Sequence, residues 1–147
     1  MNRYLDQLDT NRTVSVDISV RPLIDNGIPH CTILVNHNVL LDTMLDQATC
    51  VNYKANILDP INIVISMSNK QYNSLRETAI IVDSIVIDGI EIIPKFNHLV
   101  QYTNEKQESV FSNYMGFNGS WTLDINQPFY RWYHWHNSNG WLLFPLA

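Results

Sequence analysis

The sequence predicts an all-β chain, an antiparallel β-sandwich of jelly-roll type with about eight to ten strands. Three observations predict it. Apolar and polar residues alternate in one run after another, the period of a strand with one buried face. Turn residues separate those runs at short, regular intervals. The two most apolar runs, residues 61–67 and 79–87, are dominated by Ile and Val, which suit a pleated, packed surface.

In chain order, residues 1–12 are polar and read as an N-terminal arm, with Tyr4 and Leu5 as its anchors. From residue 13 the chain reads as a single domain to residue 147. Val14, Val16, Ile18 and Val20 alternate with Ser15, Asp17, Ser19 and Arg21, and Pro22 with Asp25-Asn26-Gly27 ends that strand. Residues 30–35 follow with Cys31, Ile33 and Val35 inward. Asn36-His37-Asn38 is a turn, residues 39–45 are a strand or a short irregular segment, and residues 49–57 alternate again. After Asp59-Pro60 come the two apolar runs, expected side by side in one central sheet. Asp88-Gly89 makes a tight reversal into IEII. Beyond Pro94, residues 96–102 and 109–115 read as short strands and Gly116-Phe117-Asn118-Gly119 as a turn. Trp121, Leu123 and Ile125 alternate up to Asn126-Gln127-Pro128. Residues 129–136 read as an aromatic strand, Asn137-Ser138-Asn139-Gly140 as a hairpin turn, and residues 141–147 as an apolar tail.

Composition narrows the function classes. Fourteen acidic residues against 9 basic ones give a net charge of −5, with no basic cluster of the kind that releases counterions from nucleic-acid phosphates. No apolar run is long enough to span a membrane, and the first residues lack the apolar core of a signal peptide, so synthesis in a cytoplasm is expected. Cys31 and Cys50 match no zinc or redox spacing and are expected as two buried free thiols, with a disulfide between them as the alternative. Charged residues make up only 16% of the chain, a surface weakly protected against association and suited to an assembly. No nucleophile elbow and no paired carboxylates in a polar pattern support catalysis, so a non-enzymatic chain is expected.

The segment SMSNKQYNSLRETAIIVDSIVIDGIEI, within about residues 66–93, resembles calcium-dependent carbohydrate-binding modules of the xylan-binding type. Ser68-Asn69 stands for the polar pair that ends a strand, Tyr72-Asn73 for the following loop, and Val82 to Gly89 for the second strand and its turn. The loop lacks the glycines of that family. The resemblance implies a β-sandwich, a sugar ligand and a calcium ion held by oxygen donors. Asn69, Asn73, Asp83 and Asp88, with Glu77, are the candidate ligands for such a hard cation. The segment GFNGSWTLDINQPFYRWYHWHNSNGWLLFP is similar to small structural proteins of contractile-tailed bacteriophages, which implies a virion component.

Of the 16 aromatic residues, 13 lie beyond Pro94. On a strand, Tyr130, Trp132 and His134 would share one face and Phe129, Arg131, Tyr133 and Trp135 the other. Three uses stay open for these rings: a platform for sugar stacking, a subunit interface, or plain core. Trp141 and Phe144 in the apolar tail share that ambiguity. His134 and His136, two apart, would supply half of a metal site, with His98 or His30 as a third ligand. The expected function is therefore a structural subunit of a phage virion (tail, baseplate, neck or capsid decoration) docking on other virion proteins as an oligomer. The alternative is a carbohydrate-binding module, calcium-assisted, that contacts a host surface glycan.

Overall fold

The computed structural model describes residues 10–70 and 77–137. Two antiparallel sheets pack face to face, as the alternation demanded. One sheet is built on β1 (Thr13–Ile24), β4 (Thr49–Asn56) and β6 (Thr78–Ile87). β1 lies between the other two, and both β7 (Ile90–Ile93) and β10 (Tyr114–Met115) pair with the free edge of β6. The second sheet has six strands. Its outer members are β3 (Asn38–Met44) and β2 (His30–Val35) on one side, β8 (Gln101–Asn104) and β9 (Ser109–Val110) on the other. Between them run β5 (Ile61–Ser68) and β11 (Gly119–Ile125).

The inward residues are those the period-2 pattern nominates. Val14, Val16, Ile18 and Val20 meet Cys31, Ile33, Val35, Ile61, Ile63 and Ile65 in one core, closed by Trp121 and Tyr102. Each large apolar side chain fully removed from water contributes about 1.5–3 kcal/mol, which is what holds the two layers together.

Three expectations are corrected. The two apolar runs are not neighbours in one sheet: β5 sits in the middle of the six-stranded sheet and β6 in the opposite one, so the 69–77 connection crosses between layers. Periodicity shows that each run has a buried face but not which sheet receives it. Residues 96–102 and 109–115 are not continuous strands. A 3-10 turn at Asn97–Leu99 and the short β8, β9 and β10 take their place, with Phe96 and Val100 buried.

The third correction is residues 129–136, which form a helix, α1 (Phe129–Asn137). The Pro128 carbonyl accepts its first bond, from the Trp132 N–H at 3.0 Å. The run FYRWYHWH is bulky at nearly every position, so no period distinguishes a strand from a helix there. Packing decides: at helical spacing Phe129, Trp132 and Tyr133 fall on one side, which covers the end of the sandwich beside Phe96.

The register gives the sandwich two distinct ends. The helix end gathers the 36–37 and 57–60 turns, Asp88-Gly89 and α1. The loop end gathers the 24–30 turn, both ends of the 69–77 connection, the β8–β9 hairpin tip and residues 116–118.

Candidate functional site

At the loop end, β5 stops at Asn69, whose φ of +67° turns the chain through the left-handed region that Asn tolerates. Its side-chain amide donates to the Ile28 carbonyl at 3.3 Å. The next residue closes the base of the 69–77 connection. The Lys70 ammonium, with its side chain only 6% exposed, pairs with Glu77 and donates to the Gly116 carbonyl. Lys70 holds the Glu77 carboxyl below its usual range, with Tyr114 as a further donor. The Tyr114 phenol is pushed up by burial and by the same carboxylate.

The Lys70 backbone N–H donates to Asn118 Oδ1 at 3.0 Å, which ties this clip to a neighbouring cleft of about 360 Å³. Asn104, Glu105, Lys106, Glu108 and Asn118 line it. Asn104 organises the wall: its Oδ1 accepts the N–H groups of Lys106 (2.9 Å) and Glu108 (3.0 Å), and its amide donates to Glu108 Oε1 at 3.0 Å. Gln107 takes φ +65° to complete the turn. Gly119 lets β11 approach β8, since a Cβ there would stand 2.3 Å from the Thr103 carbonyl oxygen. Behind the cleft, Phe117 stacks on buried Tyr102 with ring centroids 4.0 Å apart, and its N–H donates to the Tyr102 hydroxyl. The result is a solvent-open cleft of carboxamides, carboxylates and one ammonium, a set that both donates to and accepts from ligand hydroxyls.

Of the oxygen ligands predicted from the sequence, Asn69 and Glu77 stand at this loop end, while Asp83 and Asp88 lie elsewhere. Asp88 is at the helix end, eleven residues from Glu77 along β6, roughly 36 Å of strand at ~3.3 Å per residue. Arg12 grips both its oxygens (2.7 and 3.3 Å) and Tyr130 Oη donates to it at 2.6 Å. The Arg12 guanidinium holds the Asp88 carboxyl low, with Tyr130 adding to it and burial opposing. Asp83 points outward from β6 and pairs with Arg21 at 2.8 Å. Asn69, Asp83 and Asp88 therefore do not fit one calcium ion. Two carboxylates are already neutralised by guanidinium groups, and the three residues stand too far apart. Asn73 lies outside the described residues. Among the described residues, no three His, Cys, Asp or Glu are placed to share a metal.

The aromatic candidates divide in α1. Trp132 and Phe129 are buried core and His134 is buried too, while Tyr130 is the half-buried donor to Asp88 and only Trp135 (62%) stands out in solvent. Residues two apart on a helix point to different sides, so His134 and His136 do not form the predicted half-site. His136 packs on Trp132, and its imidazole is held low by burial and by nearby His98; His30 is on β2, bonded to Asp42 at 2.5 Å. Trp141 and Phe144 lie outside the described residues. Cys31 is buried in the core, with burial pushing its thiol up to about 12, while Cys50 is exposed, which corrects the expected pair of buried thiols. The only sequence signals of the cleft are turn residues, Asn104 before an acidic turn and the Asn118-Gly119 step, which mark shaped loops but not their convergence.

The architecture is that of a carbohydrate-binding-module-like β-sandwich. Two solved structures share it. One, "vCBM60 in complex with galactobiose", matches with a TM-score of 0.51 at 17% identity, over 76% of this chain and 97% of that one. The other is the selenomethionine form of vCBM60, described with "an evolutionary link between two families of calcium-dependent carbohydrate binding modules". It matches with a TM-score of 0.50 at 16% identity, over 78% and 91% of the two chains. No family model and no curated protein matches the chain.

Proposed function

We propose that this chain is a non-catalytic carbohydrate-binding module that takes a neutral glycan at the loop-end cleft. The observation that carries the reading is the likeness to a solved sugar-binding module over 97% of that module's length. The cleft adds chemistry. Its volume falls in the range of small-ligand sites, and its Asn, Glu and Lys side chains suit the paired donors and acceptors of sugar hydroxyls. The Lys70–Glu77 clip and the Asn104 turn hold these groups before a ligand arrives, which lowers the entropy lost on binding. Nothing observed favours the virion-subunit reading over this one.

The test is a neutral-glycan array followed by titration calorimetry with galactobiose and with the best array hit. Binding by the wild type is expected. Glu108→Ala, which removes a charged acceptor from the cleft, should weaken it by about tenfold. A wild-type protein that binds no glycan on the array sinks the reading.

A further inference from the structure

The outer face of the six-stranded sheet carries a row of hydroxyls that no expectation from the sequence had joined. The strand register aligns Thr32, Ser66, Ser120, Thr103 and Ser109 in one line across β2, β5, β11, β8 and β9. All five point outward, because the residues beside them in β2, β5, β8 and β11 are the buried ones. At ~4.8 Å between strands the row is about 19 Å long. Its hydroxyls are paired side by side: Ser66 with Ser120 at 3.1 Å and Thr103 with Ser109 at 2.8 Å. At its far edge Thr32 donates to Asp42 at 3.3 Å, the one charged group in line, which His30 also engages. Two residues further along the strands, Leu34, Val64 and Thr122 lie side by side and form a mild apolar strip next to the row.

The geometry points to this face as a second glycan-contact surface, which holds one extended, neutral polysaccharide chain laid across the strands. The inference rests on the carbohydrate-binding reading above. A hydroxyl is one donor and two acceptors, so each bonded pair still offers one O–H and three lone pairs to a ligand. That mixed array matches a polymer whose own groups are hydroxyls, and the apolar strip matches the C–H faces of its rings. An anionic polymer finds no counter-charge along the row, and a cationic one meets only Asp42 at its edge, already engaged by His30 and Thr32. A protein partner would want aromatic or Arg anchors, which the row lacks. Each hydrogen bond to such a surface is weak by itself, so the face adds affinity only for a chain long enough to touch several strands.

Affinity electrophoresis in gels containing galactan or xylan reads the polymer, and calorimetry with galactobiose reads the short ligand. The variants are Ser66→Ala/Ser120→Ala, which removes one hydroxyl pair, and Ser66→Glu/Thr103→Glu, which places charge on the face. Thermal melts confirm folding, and these outward-facing, partly exposed positions should leave the midpoint nearly unchanged. The expected result is polymer retention weakened by about fivefold to tenfold, the loss of one or two neutral hydrogen bonds, with galactobiose affinity unaltered. Wild-type polymer retention that survives both variants overturns the second surface and leaves the cleft reading intact. Disaccharide binding without any polymer retention overturns it as well. A wild type that binds neither probe overturns both.

Discussion

Asp88 shows how one side chain can be recruited away from the chemistry its identity suggests. An aspartate before a glycine after an apolar strand reads equally well as a turn residue or as an oxygen ligand. Here it does the first, with φ +50°, and its carboxylate joins the chain before β1 to the helix through Arg12 and Tyr130. Its pKa is depressed, so the stability it contributes is complete above the unfolded carboxyl value near ~3.9 and disappears as pH falls through the lower folded value. Tyr130→Phe, which deletes one donor to this carboxylate, is expected to cost about 1–2 kcal/mol at neutral pH. Denaturant titrations at several pH values should show the gap to wild type closing in acid. A gap that stays constant down to pH ~2 would mean that the charged form of Asp88 is not what Tyr130 stabilises.

Among the elements, α1 departs most from the alternating pattern. Its aromatic residues have high strand propensity, yet a helix lets Phe129 and Trp132 cover the end of the core while Trp135 stays in water. Edge-on contacts of Phe96 with Trp132 (5.4 Å between ring centroids) and Tyr133 (5.8 Å) fix its seat. Trp132→Ala is therefore expected to destabilise the protein by about 3–5 kcal/mol. Trp135→Ala should change stability by no more than about 0.5 kcal/mol. Equal effects in chemical denaturation would contradict the burial of Trp132 and the exposure of Trp135 that the seat of α1 produces.

Across the whole molecule, the two cysteines report on the two layers. Cys31 faces the shared core and Cys50 the solvent side of the other sheet, so the sandwich keeps them from pairing. Thiol labelling under native conditions should modify Cys50 at once and Cys31 only at the rate at which the sandwich opens, since burial both blocks access and suppresses the thiolate. Fast labelling of both thiols, or a disulfide detected without reductant, would mean that the layers are not closed as described. The same two-layer arrangement separates the loop-end cleft from the Asp88 bracket and carries the hydroxyl row on a face of its own.

By itself the sequence determined what depends on neighbours in the chain. The period-2 runs set β1 and β2 with their inward residues and located β4, because a strand's two faces are written in alternate positions, and the apolar runs located β5 and β6, although a bulge breaks the period along β6. Asp88-Gly89 marked its turn through the φ > 0 it requires. Tertiary structure alone decided what depends on distant partners: the sheet each strand joins, the helical form of residues 129–137, and the pairing of Asp88 with Arg12 rather than a cation. The cleft and the hydroxyl row belong with these. Each collects side chains from strands and loops far apart in sequence, and such a convergence exists only once the register of the sheets is set.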